Sequence, residues 1–394
     1  MKKIAFFVQH MLCGGVENAL ITLSNELNKL GNQVTIYVID EKGEFLTRIP
    51  EGVELKKIQL PKKIENIIPV GGSKLTIRKN IKERHYLRAA INLKNHFFGK
   101  TEFAELNVNF SKIPKLEKEY DIAVNFHMHS PFLVRYLSEK VSATKKLSWI
   151  HNDFTTTHYN IKVLQPYLEC CDAFFGVSQK LVDEFTTIFP VYKEKTFLAL
   201  NLVQVEAIER KSLEEYPEEY TEVTEGYLKL LSVGRLEVQK GYDLTINVCK
   251  KLVESGYKFK WFILGEGSER QAIEAQIKKQ GLDDILCPIG IRMNPYPYFK
   301  NCDIYVQTSR HEGYVTTVTE AKIFNRPIVC TDVSGAREQL VDGVSGDITE
   351  ISVDSIYEKL LRLFEEPNRR SDYTTILTTH KNVVNVDYMK VFEK

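Results

Sequence analysis

No apolar run in the 394-residue sequence approaches the roughly 18 residues of a membrane-spanning helix, so no integral helical anchor is expected. Charge of one sign is also missing. With 53 Lys and Arg against 52 Asp and Glu, the formal net charge is +1, which argues against a nucleic-acid partner held by bulk electrostatics. The seven cysteines are odd in number and show no C-x-x-C or Cys/His metal spacing. Cys13, Cys249, Cys287, Cys302 and Cys330 lie inside apolar segments and Cys170-Cys171 are adjacent. Buried free thiols, and no metal, are expected. The chain enters a strand pattern at Lys2-Lys3-Ile4-Ala5-Phe6-Phe7-Val8 without a charged leader and small-residue cleavage site, so a cytoplasmic location is expected. The turn that follows, Gln9-His10-Met11-Leu12-Cys13-Gly14-Gly15, is not the G-x-G-x-x-G of a nicotinamide-dependent oxidoreductase.

What is present, 43% apolar and 27% charged residues, is the composition of a globular protein, and the length suits two or three domains. The charge is uneven, with 28 Lys and Arg against 21 Asp and Glu in residues 1–200 and 25 against 31 in residues 201–394. Short apolar runs at 4–8, 34–39, 122–126, 147–150, 173–177 and 196–200 read as buried parallel strands. Between the first two, Val16, Ala19, Leu20, Leu23, Leu27 and Leu30 follow helical spacing and Gly31 ends the run, which makes a βαβ unit. The second half repeats the theme, with strands at 230–233, 261–264, 286–289, 304–307 and 328–330 and helices at 242–255, 269–280 and 320–324. Residues 205–226, charged and interrupted by Pro217, read as the linker. Two doubly wound α/β domains follow from this order.

Residues 74–100 carry Lys74, Arg78, Lys79, Lys82, Arg84, Arg88, Lys94 and Lys100 against Glu83 alone, interleaved with apolar residues. Two readings stand: a basic amphipathic helix lying on an anionic membrane surface, or a core-facing helix with a solvated basic back.

Chemistry concentrates where strands end. Glu312 and Glu320, with seven residues between them, occupy a strand-to-helix junction, where open α/β sheets bind ligands. A helix starting just after Gly313 sets the two carboxylates about 12 Å apart along its axis, with free N–H groups between them. Upstream, Gly234 lets the chain leave a strand tightly, and Arg235 and Lys240 bring two cations to that strand's end, where a diphosphate requires them.

Taken together these residues resemble the retaining glycosyltransferases of family 4. The resemblance runs through Gly14-Gly15-Val16-Glu17, Asn201-Leu202-Val203, Gly234-Arg235 to Lys240-Gly241, Leu264-Gly265-Glu266-Gly267, the two glutamates, and Pro327-Ile328-Val329 to Gly335 and Glu338. It implies an α/β architecture of two doubly wound Rossmann-like domains facing a cleft (GT-B). Residues 1–204 would bind the acceptor, residues 205–375 the nucleotide sugar, and a segment from about 376 to 394 would pack back on the first domain. It also implies a retaining, metal-independent hexosyltransferase without a cofactor, whose co-substrate is a UDP-hexose or UDP-N-acetylhexosamine.

By the same resemblance Arg235 and Lys240 grip the diphosphate, Glu312 lies beside the donor sugar, and Glu320 accepts the ribose hydroxyls. Gly14, Gly15, Gly234 and the stretch Gly313, Tyr314, Val315 and Thr316 approach the donor through backbone. His151 matches the histidine near the reacting centre. His127 and His129, alternating after a strand, would face one side of an extended segment and line the acceptor site, with a surface loop as the rival. Asp283-Asp284 reads as a turn. Two departures stand out: Tyr314-Val315-Thr316-Thr317-Val318-Thr319 replaces a small, Gly-rich stretch, and Leu202 replaces a glycine. The acceptor suggested is a glycan, a lipid-linked one being favoured by residues 74–100, in capsule, exopolysaccharide or teichoic-acid synthesis, which would put the enzyme on the inner membrane face. A nucleotide-sugar epimerase of the same fold and a non-catalytic partner subunit are the alternatives.

Overall fold

The computed structural model describes residues 1–65, 109–154, 161–379 and 387–393; the basic stretch 74–100 lies outside the described residues. The chain divides into two compact units, Met1–Leu202 with Asn385–Lys394, and Val203–Val384.

The first unit is built on a parallel sheet of β1 (Lys3–Val8), β2 (Gln33–Val38), β3 (Glu54–Lys57), β4 (Tyr120–Asn125), β5 (Ala143–Ile150), β6 (Ala173–Gly176) and β7 (Thr196–Leu198), ordered β3-β2-β1-β4-β5-β6-β7. Winding runs outward from β1 to β3, then crosses to β4 on the other side of β1. The carboxyl ends of β1 and β4 therefore flank a switch point. The helix Gly15–Lys29 follows β1. Ala19, Leu20, Leu23 and Leu27 bury one of its faces, Glu17 and Lys29 complement its dipole, and Gly31 in the left-handed region (φ 82°) turns the chain into β2. After crossing the second unit the chain returns. Tyr388 and Phe392 set their rings 5.8 and 6.2 Å from Trp149, and Phe392 also packs against Phe6.

The second unit repeats the plan with β8 (Leu228–Val233), β9 (Phe259–Leu264), β10 (Leu286–Gly290), β11 (Ile304–Gln307), β12 (Ile328–Thr331) and β13 (Asp347–Thr349), parallel and ordered β10-β9-β8-β11-β12-β13. Its switch point lies between β8 and β11. Alternation along β11 sends Ile304 and Val306 into one core and Tyr305 into the other.

Strand and helix expectations hold within a few residues, apart from three differences. The edge strands β3 and β13 were not expected, because Glu54, Lys56 and Asp347 break the apolar run that marks a strand. The expected linker is instead two short helices, Val205–Lys211 and Glu218–Thr221. Ile208 and Tyr220 from them join the second core, Tyr220 with its ring 4.8 Å from Phe262. Lastly, the helix Pro367–Thr379 keeps residues 376–379 on the second unit, so the segment that rejoins the first starts later than about 376. Among the described residues no helix is long and apolar enough to cross a membrane.

Candidate functional site

In the second unit the switch point gathers a connected polar cluster. Leaving β8, Gly234 donates to Leu264 O at 2.9 Å, and its own carbonyl accepts from Tyr242 Oη at 3.0 Å. A Cβ on Gly234 would stand 3.2 Å from Lys240 Cε, so the missing side chain makes room for the lysine stem. Gly241, the residue after Lys240, takes φ 67°, and a Cβ there would stand 2.2 Å from Thr308 O. The turn is also tied to the β11 loop by Thr308 Oγ1 donating to Lys240 O (2.9 Å) and Gln239 Nε2 donating to His311 O (2.8 Å). Gly241→Ala is expected to destabilise the second unit by about 1–3 kcal/mol from backbone strain, and further from the overlap, while shifting Lys240. Chemical denaturation in a Trp149→Phe background, followed by Trp261 fluorescence, checks this; an unchanged midpoint contradicts it.

These ties place Lys240 Nζ 2.5 Å from Glu312 Oε1. Ser309 Oγ donates to the same oxygen at 2.6 Å, and Gln307 Nε2 lies 3.4 Å from it. Glu312 is 9% exposed, and its Oε2 has no hydrogen-bond partner among the described residues. One carboxylate oxygen is thus pinned three ways while the other stays available to a ligand hydroxyl. Arg235, at the end of the same strand β8, is exposed and makes no side-chain hydrogen bond or ion pair among the described residues.

The loop after Glu312 corrects one expectation. The helix covers Thr316–Ile323 with Val315 as its N-cap (φ −82°, ψ 87°), so Glu312 precedes it in a loop and an axial spacing does not relate it to Glu320, which lies within the helix. The backbone N–H groups of Gly313, Tyr314, Val315, Thr316 and Thr317 donate to no acceptor among the described residues, leaving a run of donors able to receive anionic oxygen or sugar hydroxyls. Tyr314 is half-buried and packs on Gly335, where a Cβ would come 2.9 Å from its ring; burial pushes its hydroxyl up to about 12. That ring occupies space which a small residue would leave open.

The first unit assembles a second cluster at its own switch point. Gly14 caps the helix whose first residue is the exposed Gly15, and a Cβ on Gly14 would meet Glu17 Oε2 at 2.5 Å. Glu17 is 6% exposed, with Oε1 3.3 Å from His10 Nδ1 and 3.9 Å from His127 Nε2. Burial alone would raise the Glu17 carboxyl, but the imidazoles of His10 and His127 beside it hold it below the usual range. His127 Nδ1 accepts from Gln9 N at 3.1 Å. The chain turns at this point, with Ser130 N donating to His127 O at 2.9 Å. His127 and His129 therefore do not share one side of an extended segment. His127 faces His10 and Glu17, whereas His129 stacks on Phe154 with ring centroids 5.2 Å apart. His151, at the end of β5, is 5% exposed and lies 4.5 Å from the Phe126 ring. Burial lowers all three histidines, to about 3 for His127, about 4 for His129 and about 3 for His151. The Nε2 atoms of His129 and His151 are buried without a partner among the described residues.

Sequence reasoning passed over Glu17, His10 and Gln307 as site residues. Gln307 had a signal, since Tyr305, Gln307 and Ser309 alternate on one face of an apolar strand, where polar side chains need partners. Glu17 had a weaker one, as an acid in the first turn of a helix opened by two glycines.

Residues 217–376 match the family described as glycosyl transferases group 1. The chain is 27% identical over 237 residues to the N-acetylgalactosamine-N,N'-diacetylbacillosaminyl-diphospho-undecaprenol 4-alpha-N-acetylgalactosaminyltransferase of Campylobacter jejuni, covering 58% of this chain and 60% of that one. It is 24% identical over 212 residues to the capsular polysaccharide biosynthesis glycosyltransferase CapM of Staphylococcus aureus, covering 51% and 54%. These curated relatives are thus spanned over little more than half their length. Among solved structures, Anabaena HepE in complex with UDP and glucose superposes with a TM-score of 0.71 at 16% identity, covering 100% of this chain and 99% of that one. The fold is that of the GT-B glycosyltransferases.

Proposed function

We propose that the protein is a retaining, metal-independent glycosyltransferase that moves a hexose or N-acetylhexosamine from a UDP-sugar to a glycan acceptor. The observation that carries this reading is the half-committed Glu312 carboxylate, held by Lys240 and Ser309 beside a run of free N–H groups. Lys240 and Arg235 neutralise the diphosphate, and the N–H groups of Gly313 to Thr317 receive its oxygens or the sugar hydroxyls. Glu312 Oε2 orients the sugar, and Glu320 accepts the ribose hydroxyls. As the anomeric C–O bond to the diphosphate breaks, the acceptor oxygen bonds to that carbon on the same face and its proton passes to the departing phosphate. In the first unit His127, His129 and His151, uncharged at neutral pH, offer polar atoms to hydroxyls without attracting a second anion. A glycan carried on a lipid, as that of the Campylobacter relative is by its name, is the acceptor class preferred, with the enzyme peripheral to the membrane.

Incubating the purified protein with UDP-glucose, UDP-galactose and UDP-N-acetylglucosamine tests the proposal: one of them should raise the melting temperature and be slowly hydrolysed. Failure of every donor to bind contradicts it, and a change of the sugar without release of UDP would mark an epimerase. Glu320→Ala is expected to raise the donor KM about tenfold with turnover nearly unchanged, because it touches a ribose remote from the breaking bond. A variant with lower turnover and unchanged KM contradicts that assignment.

A further inference from the structure

Gln307 lies on β11 with 4% exposure, and a buried amide needs partners for both its ends. Its Oε1 accepts from Tyr305 Oη at 2.5 Å and Thr317 Oγ1 at 3.3 Å. Its Nε2 donates to Ser309 Oγ at 2.6 Å and approaches Glu312 Oε1 at 3.4 Å. Directions in this network follow from chemistry. An ionised carboxylate only accepts, so the single Ser309 hydroxyl proton points to Glu312, and Ser309 must accept from elsewhere. Gln307 Nε2 supplies that hydrogen, which turns Oε1 toward Tyr305 and Thr317. Burial raises the Tyr305 hydroxyl well above its ordinary value, so it stays a donor. The reversed amide would aim a carbonyl at the carboxylate.

We infer that Gln307 is a positioning residue that fixes Glu312 with Oε1 pinned and Oε2 presented to a sugar hydroxyl, through a relay from Tyr305 and Thr317 by way of Ser309. The inference rests on the reading of Glu312 as the group facing the donor sugar. Lys240 neutralises Glu312 but, as a point charge on a flexible stem, does not fix the plane of the carboxylate. The Gln307–Ser309 pair supplies direction. Thr317 belongs to the hydroxyl-bearing stretch that departs from a small, Gly-rich sequence, and at least one of its added hydroxyls thereby serves the site from beneath.

The test compares Gln307→Leu, Glu312→Gln and the double variant. Tyr305→Phe combined with Gln307→Leu guards against misfolding, since it replaces both buried partners by apolar groups. Binding is measured for UDP and for the UDP-sugar that the native protein binds best, together with donor hydrolysis. Gln307→Leu is expected to keep its affinity for UDP within about twofold and to lose about tenfold to hundredfold of the affinity added by the sugar, with a like fall in kcat. In the Glu312→Gln background it should cost nothing further, because both changes remove one interaction. Multiplied effects in the double variant, or native sugar affinity in the Tyr305→Phe/Gln307→Leu protein, overturn the inference. A crystal structure of Gln307→Leu decides independently of activity: a carboxylate turned away from Ser309 supports it, and one unmoved refutes it. If the native protein binds UDP but no UDP-sugar, the functional reading fails while this structure still answers for Gln307.

Discussion

Lys240→Ala is expected to lower turnover by about 10²–10³-fold, the scale seen when one preorganised donor to a developing oxyanion is removed. The reason is position. Gly234 without a Cβ, Gly241 in the left-handed region and the bond from Thr308 Oγ1 to Lys240 O hold the ammonium at the end of β8 before any ligand arrives. A charge already in place needs no reorganisation when the diphosphate departs. The substitution also leaves Glu312 buried without its cation, and breaking a largely buried pair costs stability as well as rate. Arg235→Ala separates the two effects. Arg235 is exposed and unpaired among the described residues, so its loss should lower turnover while leaving the melting temperature within a degree or so. Native turnover in both variants would remove the cations from the mechanism, and a fall in melting temperature alone for Lys240→Ala would reduce Lys240 to a structural partner of Glu312.

The places of the two cations and of Glu312 at strand ends were legible in the sequence because each follows a short, mostly apolar run, β8 and β11. The helix start was not. Nothing in Gly313-Tyr314-Val315 supplies a capping side chain, and Val315 as N-cap is set by tertiary packing, with Val315 and Val318 both inside the second core. The polar edge strands escaped notice for two reasons: β3 is only partly buried and needs no apolar run, and the buried Asp347 of β13 is compensated by Lys359, a partner the sequence does not reveal. The 205–226 segment looked like a linker because the two residues it lends to the hydrophobic core, Ile208 and Tyr220, are too widely spaced for a helical pattern to emerge among the charges. The histidine cluster shows the limit most clearly. His10, His127 and His151 follow three different strands, and only the order of strands in the sheet brings the first two of them to one carboxylate.

That cluster carries the largest expected effect on stability, which is a sharp loss in mild acid. His127, His129 and His151 are lowered by burial to about 3, about 4 and about 3 from an ordinary 6.5. Between pH 6.5 and about 4 the unfolded chain binds protons at these positions and the folded chain does not, so stability falls as pH falls. In the middle of that window each histidine removes on the order of 1 kcal/mol per pH unit, so the three together remove several, against a typical total of about 5–15 kcal/mol. Glu17, held below the usual carboxylate range, adds its own loss only further down, as pH falls through its folded value. The second unit should resist longer. Its lowered carboxylates, Glu219, Asp243 and Asp342, contribute until pH drops below the ordinary carboxylate range, and Lys322, lowered to about 8 by burial, is already protonated in both states below that pH. The two tryptophans report the units separately, Trp149 in the first and Trp261 in the second. Denaturation of Trp261→Phe at pH 7, 6 and 5 should show the Trp149 transition moving steeply to lower denaturant. Trp149→Phe should show a much smaller movement of the Trp261 transition. His151→Gln, which removes one of the three buried imidazoles, should flatten the pH slope of the Trp149 transition by about a third, each histidine supplying an equal share. An unchanged slope in that variant, or equal acid sensitivity of the two transitions, would show that these histidines are reached by protons in the folded state.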